Sequence, residues 1–429
     1  MKVFIKTFGC RVNQIETQSI LEHLLKHGYD QTSDFKKSDV CILNTCTVTE
    51  KADRDVEKML RQITFHNPTC KLIVAGCYAT MHPEKVLETA SQALIVSNVK
   101  KSEIPKILNI KKISKDFTVT RQEKRLRAFV KIQDGCIQKC SYCIVRNARS
   151  VLWSKPVKKT LEEIKNLILN EHKEIVLSGI NIGSYRCPDT EKDLADLAEE
   201  IFKLEGDFRI RFSSIEVHSI TDKLIRVVSN AGDKFCNYFH IPLQSGSDKV
   251  LRDMNRNYDT TYYLKKVNFL RTHFKNIGIF ADVIAGYPTE KKEHFEETVD
   301  FVKKIGFSGL HVFSYSKRPY TDAFKLKTLP VATVKQRSKA LRDLDKNLRR
   351  KFAESLIGTT QKVLIENVSP SSKSARAGGN CASGLASNFQ KVMVCTSNKS
   401  QPQFAPNQFV LAKIISVAGY ICLAKPHSF

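Results

Sequence analysis

The chain has little of what disorders or punctuates a polypeptide: 18 Gly and 13 Pro among 429 residues. That scarcity excludes collagen-like and mucin-like chains, and 42% hydrophobic residues exclude intrinsic disorder. No uninterrupted apolar run approaches the ~20 residues that span a bilayer. The N-terminus, Met-Lys-Val-Phe-Ile-Lys-Thr-Phe-Gly-Cys, has neither an apolar signal core nor a small-residue cleavage site. A soluble, cytoplasmic protein with no membrane partner and with reduced thiols is therefore expected. Acidic residues are also in deficit, 44 Asp plus Glu against 69 Lys plus Arg, a formal charge of +25. An excess of lysine keeps many proteins soluble, but a balance this basic favours polyanionic partners such as nucleic acid or an anionic membrane surface.

At ~100 to 200 residues per domain the length allows two to four domains. Over 2–99, short strand-like runs at 3–7, 40–44, 72–75 and 93–97 alternate with helical patterns such as 16–26 and 53–64, the rhythm of a parallel βαβ sheet. A basic, weakly periodic stretch follows at 100–127, with Lys111, Lys112, Arg121, Lys124, Arg125 and Arg127, and reads as a linker. Six more strands are expected at 129–133, 174–178, 209–214, 239–243, 279–284 and 310–314, separated by helices at 160–169, 193–204, 222–231, 260–273 and 294–305. Thr160 and Glu163 have capping-box spacing at the start of the first of these helices. This pattern suits a full or partial α/β barrel. Residues 334–356 read as a helix whose Lys335, Arg337, Lys339, Arg342, Lys346, Arg349, Arg350 and Lys351 are mostly unbalanced by acids. From 360 onward, short β-like runs surround a Ser/Gly/Asn-rich stretch at 369–387, as in a small nucleic-acid-binding β-barrel. The expected division is 1–105, a linker at 106–127, 128–356 and 357–429.

Thirteen cysteines are an odd number for a disulfide framework, and clusters among them are candidate metal or redox ligands. Asp134-Gly-Cys136-Ile-Gln-Lys-Cys140-Ser-Tyr-Cys143 places three thiols at Cx3Cx2C spacing directly after the first barrel strand. Zinc takes a fourth ligand and favours paired Cx2C knuckles, whereas a cubane iron–sulfur cluster tolerates one open iron. In its spacing and its place in the fold, the loop resembles the radical S-adenosylmethionine (SAM) superfamily. That resemblance implies a (β/α)6 partial barrel and a [4Fe-4S] cluster whose open iron is chelated by SAM, which one electron splits to a 5′-deoxyadenosyl radical. By the same resemblance, SAM contacts are expected at the strand C-termini: Ser178, Gly179, Glu216, Gln244, Asp282 and Gly286. Each polar member of that set also has the simpler reading of a strand-end cap.

Cys10, Cys46 and Cys77 each lie just past a strand of the N-terminal rhythm. In an open parallel sheet that is the ligand-binding edge, so the three can converge on a second centre. Cys41 and Cys70, and the scattered Cys187, Cys236, Cys381, Cys395 and Cys422, fit better as buried structural residues.

Thr7-Phe-Gly-Cys-Arg-Val-Asn-Gln-Ile-Glu-Thr17, Asn44-Thr-Cys-Thr-Val-Thr49, Val74-Ala-Gly-Cys-Tyr-Ala79, the Cx3Cx2C loop, Ile241-Pro-Leu-Gln-Ser-Gly-Ser247 and His311-Val-Phe-Ser-Tyr-Ser-Lys-Arg-Pro319 together resemble the methylthiotransferases over essentially the whole chain. The resemblance implies two [4Fe-4S] clusters, with metal ligands Cys10, Cys46 and Cys77 at the sulfur-handling site and Cys136, Cys140 and Cys143 at the SAM-cleaving site. It also implies a C-terminal TRAM-like barrel that binds RNA. After Cys143 the chain runs Ile-Val-Arg146-Asn-Ala-Arg149-Ser150, where the family has a proline and then an Arg-Gly pair, so Arg149 is left without a role. The run Gly-Cys-Arg-Val-Asn-Gln is most like members acting on N6-threonylcarbamoyladenosine beside the anticodon. Implied partners are the tRNA anticodon stem-loop, a low-potential electron donor and a sulfur donor. Members acting on isopentenyladenosine tRNA or on a ribosomal-protein aspartate are alternatives, and a non-catalytic metal-containing RNA-binding protein is the alternative of another class.

Overall fold

A computed structural model describes residues 1–111, 113, 116–120, 126–369, 380–396 and 404–427. Its N-terminal domain is a five-stranded parallel sheet in the order Asp30–Gln31, Lys2–Thr7, Val40–Thr45, Lys71–Gly76, Leu94–Val96. The central strand Val40–Thr45 is buried along its whole length, because helices cover both faces of the sheet. On one face the helix Arg11–Leu25 inserts Ile20, Leu21 and Leu24; on the other the helix Glu50–His66 inserts Val56, Leu60 and Ile63. Asp30–Gln31 escapes the pattern reading because two exposed polar residues show no alternation.

The stretch at 100–127 is not a free spacer over its described part. Ile104, Leu108, Ile113 and Phe117 complete the N-terminal core, and the Lys101 side chain is fully buried. Lys112, Arg121, Lys124 and Arg125 lie outside the described residues.

Six parallel strands form the central partial barrel. Arg127–Lys131, Glu174–Ser178 and Arg209–Phe212 make one half, and Tyr238–His240, Gly278–Ala285 and Gly309–Ser314 the other. A parallel bridge between Ile210 and Phe235 joins the halves, as does the Ile215 N–H donating to the His240 carbonyl at 2.9 Å. The expected capping box does not form. The helix spans Val157–Leu169, beginning before Thr160, and the Thr160 hydroxyl donates to the Pro156 carbonyl. Glu163 instead pairs with buried Lys155 and accepts from the Val119 N–H.

The helix Val331–Ser355 runs from the barrel to the last domain, and its face is not one-signed. Arg337 pairs with Glu290, Asp343 with both Lys339 and Lys346, Arg349 with Asp345 and Arg350 with Glu354; Arg342 is exposed. The last domain is a closed barrel of the strands Thr360–Ser369, Cys381–Ala386, Lys391–Cys395, Ile421–Pro426 and Phe409–Ala418. Residues 370–379 of the Ser/Gly/Asn-rich stretch lie outside the described residues. The expectation of reduced thiols fails at one pair: Cys381 and Cys395 face each other across adjacent antiparallel strands and form a disulfide. Buried Arg209 and Arg211 share Glu174 and donate onward to the carbonyls of Lys362, Leu385 and Ser387, docking this domain under the barrel. No helix among the described residues is long and apolar enough to cross a membrane.

Candidate active site between the barrel and the N-terminal domain

Beyond the first barrel strand, Gln133–Asp134 pairs antiparallel with Trp153–Ser154 and closes the loop that carries Cys136, Cys140 and Cys143. Gly135 turns the chain at φ +79°, a conformation that disfavours any residue with a Cβ. All three thiols are free and partly buried. Burial pushes the Cys143 thiol up to about 12, and the charges of Cys140 and Cys136 add to the rise. Burial likewise raises the Cys136 thiol, and three thiolates on one loop fit a cubane with an open iron. Arg256 donates to the Cys140 sulfur at 3.1 Å and pairs with Glu216.

A cavity of about 580 Å³ opens beside this loop, lined by Ile137, Gln138, Asn181, His218, Arg256 and Tyr258 among others. Of the residues expected to contact SAM, Glu216 joins this wall through Arg256. Ser178 ends its strand fully buried. Gly179 lies so close to Gln133 that a Cβ would meet its Oε1 at 2.9 Å. The same Oε1 accepts from the Asn181 N–H at 2.8 Å. Gln244, at φ +67°, is tied through its backbone to Asp282 and Ile284. The Asp282 carboxylate lies 2.8 Å from His240 and 3.4 Å from His311, and these two rings hold it below the usual carboxylate range against the effect of burial. Gly286 stands apart, its Cα packed against Val334 of the long helix and its N–H donating to Glu290. Arg256 and Asn181 were missed because they lie in loops beyond the strand ends, and His218 because it sits in the one-turn helix Val217–Ser219; only Arg256, a cation in the segment Met254-Asn-Arg-Asn-Tyr258, carried a signal.

The second set of thiols is assembled by sheet register. Thr7 pairs with Asn44, Asn44 with Ala75 and Thr45 with Gly76, so three strands end level. Cys10 then caps the helix Arg11–Leu25, Cys46 follows its strand directly, and Cys77 opens the helix Cys77–Met81. A Cβ on Gly9, at φ +87°, would meet the Cys46 sulfur at 2.6 Å. Asn13 donates to the carbonyls of Phe8 and Thr45 and so staples two of the turns together. Burial pushes the Cys46 thiol up to about 12, with Cys77 and Cys10 contributing. The donor set again fits a three-thiolate cubane.

Arg149 links the two sets. Its guanidinium bonds Asp134 of the cysteine loop at 2.7 Å and Glu16 of the helix capped by Cys10 at 3.0 Å. Glu16 also receives Lys101 and Lys131, each at 2.6 Å. Burial alone would raise the Glu16 carboxyl, but Arg149, Lys101 and Lys131 outweigh it and hold it well below the usual range. Near Cys46, buried Arg318 pairs with Asp53 and donates to Thr47 at 2.9 Å.

Residues 2–97 match the uncharacterized protein family UPF0004 and residues 130–302 the radical SAM superfamily. The threonylcarbamoyladenosine tRNA methylthiotransferase MtaB of Aquifex aeolicus (strain VF5) is 34% identical, covering 85% of this chain and 93% of that protein. The tRNA-2-methylthio-N(6)-dimethylallyladenosine synthase of the same organism is 32% identical, covering 85% and 88%. Among solved structures, the radical SAM methyltransferase TsrM from Kitasatospora setae, with cobalamin and a [4Fe-4S] cluster bound, superposes with a TM-score of 0.57 at 12% identity over 75% of this chain and 76% of that one, a likeness of fold alone.

Proposed function

Because this chain belongs to the radical SAM methylthiotransferases, a family that uses SAM and a [4Fe-4S] cluster and whose relatives here modify tRNA, we propose that it adds a methylthio group to C2 of N6-threonylcarbamoyladenosine beside the anticodon. The observation that carries the reading is the convergence of Cys10, Cys46 and Cys77 at a domain seam bound to the Cx3Cx2C loop by Arg149. A sulfur-handling centre and a SAM-cleaving centre are what this transfer requires in one molecule.

C2 of adenine is an aromatic C–H that neither a base nor a nucleophile opens, which is why the reaction needs cofactor chemistry. When bound, SAM and the clusters supply one-electron cleavage of the sulfonium and a sulfur ligand. Cys136, Cys140 and Cys143 would hold the first [4Fe-4S] cluster, and Cys10, Cys46 and Cys77 a second. Gly179, Glu216 and Gln244 at the strand ends would orient SAM, with Arg256 as a cation in the same wall. The buried Glu16 network ties the N-terminal domain to the barrel across the seam. A low-potential reductant and a sulfur donor complete the cycle, in the cytoplasm where tRNA is modified. The N-terminal run Gly-Cys-Arg-Val-Asn-Gln and the 34%-identical relative favour threonylcarbamoyl over dimethylallyl adenosine as the base.

Nucleoside mass spectrometry of tRNA from a strain lacking the gene tests the assignment. Loss of the methylthio form of threonylcarbamoyladenosine is expected. Loss of the dimethylallyl form instead would overturn the choice of base, and an unchanged nucleoside profile would overturn the tRNA reading.

A further inference from the structure

The last two barrel strands have two unlike faces. Ala281, Val283 and Leu310 belong to the core that the outer helices cover, and Val312 packs against it. Alternation along a strand then turns Phe280, Asp282 and Ile284, and His311 and Phe313, toward the lumen. Register sets His311 beside Asp282 and Phe313 beside Ile284. Ile284 shares an apolar cluster with Tyr142 of the cysteine loop, so this strip leads up to the SAM-cleaving centre. At its lower end Tyr238 and Phe280 pack with Phe389 of the last domain and floor the lumen.

Two residues of the strip stay open in a place where large side chains are usually covered. Phe313 is 47% exposed, and the His311 side chain 48%. Asp282, held below the usual carboxylate range by the two rings beside it, is ionised and only accepts. His240 Nε2 therefore donates to it at 2.8 Å, and His311 Nδ1 lies 3.4 Å from the same oxygen with its hydrogen turned inward. The other nitrogen of His240 faces the Tyr238 hydroxyl at 3.4 Å. Three of the four ring nitrogens are thus engaged. His311 Nε2 remains, an acceptor with no partner among the described residues.

An exposed aromatic face with an acceptor below it is a recognition site for a flipped nucleobase that carries a polar substituent. Orientation follows from the chemistry. C2 of the base must point up to the clusters at the strand C-termini, so the N6 substituent, on another side of the ring, points down the lumen. His311 lies two residues below Phe313, roughly 7 Å along the strand. We propose that Phe313 stacks on the target adenine and that His311, oriented by Asp282, accepts a hydrogen bond from the hydroxyl of the threonylcarbamoyl group. A dimethylallyl group has no such hydroxyl. His311 is then the residue that selects the base, and it stands between Asp282 and the carboxylate of the substituent. The proposal rests on the tRNA reading above and adds to it the residues that choose the substrate.

The test varies the substrate as well as the protein, on the full-length, anaerobically reconstituted enzyme. Two synthetic anticodon stem-loops are compared, one with threonylcarbamoyladenosine and one with its 2-aminobutyrate analogue, which keeps the carbon skeleton and lacks the hydroxyl. The wild-type enzyme should methylthiolate the analogue with kcat/KM lower by about tenfold, the effect of one hydrogen bond. His311→Ala should lose about tenfold on the natural base and treat the two stem-loops alike, while His311→Gln, which restores an acceptor, should recover part of the difference. Phe313→Ala should raise KM for both stem-loops equally, by about tenfold, as for the loss of one stacked base. Equal use of the two stem-loops by the wild-type enzyme overturns the assignment without any variant having to fold, and so does a full difference retained by His311→Ala. An unchanged KM in Phe313→Ala overturns the stacking platform. A wild-type enzyme that forms methylthiolated product from neither stem-loop overturns the proposed function instead.

Discussion

The two thiol sets solve one chemical problem in opposite ways. Cys136, Cys140 and Cys143 share one loop, pinned by Gly135 and a short two-stranded ladder, so their convergence is local. Cys10, Cys46 and Cys77 converge only because three parallel strands end level, and their surroundings are then held by a buried charge network from another domain. A local site is vulnerable mainly at its ligands. An assembled site is vulnerable also at residues far from it in sequence.

The largest effect should come from the local set. Cys140→Ala leaves the iron undercoordinated and should abolish 5′-deoxyadenosine formation under reducing, anaerobic conditions; retained cleavage would remove the distinction between the sets. Cys46→Ala should spare that cleavage yet yield no methylthiolated tRNA, with iron content lower by about half, as for one of two cubanes on separate cysteines. Product at the wild-type rate would show that the assembled set is not the sulfur site.

Next comes the network that holds the assembled set against the cysteine loop. Arg149→Gln strips a charge partner from buried Glu16 and Asp134 and should cost about 3 to 5 kcal/mol in denaturant unfolding. Arg149→Lys should recover part of this, since it restores charge without the forked geometry. Equal iron loss from both sets in the Gln variant would contradict the contrast.

A control far from both sets sharpens it. Burial would raise the Glu174 carboxyl, but Arg211 and Arg209 outweigh it and hold it well below the usual range. A carboxyl depressed in the folded state stabilises above its unfolded value, ~4.3, and loses that contribution as pH falls through its folded value. Urea midpoints should therefore fall below about pH 4, and Glu174→Gln should lessen that fall while both thiol sets keep their iron at neutral pH. The smallest effect is expected from Arg342, Arg349 and Arg350 changed together to Ala. Arg349 and Arg350 sit in i,i+4 ion pairs with Asp345 and Glu354, so filter binding of tRNA across a salt series should barely change. A flattened salt slope would instead place the helix on the RNA surface.

Much of this was legible before any coordinates. The alternation of apolar runs and helical patterns is a local property, and it located the six barrel strands and every N-terminal strand but Asp30–Gln31 to within a few residues. The capping box failed because Pro156 starts the helix earlier and Lys155 claims Glu163, a long-range competition that spacing does not record. The linker reading failed because charge dominates composition there, while Ile104, Leu108, Ile113 and Phe117 supply the packing.

By itself the sequence determined the cysteine loop, the strand-edge position of the other three thiols and the family, since each is written in spacing along the chain. Only the tertiary structure decided what Arg149 does. Ser150 follows it where a glycine was expected, and nothing near it in sequence names Glu16 or Asn13 as partners. Those bonds exist because two domains close on one another, and a buried guanidinium must find its counter-charges wherever the fold places them.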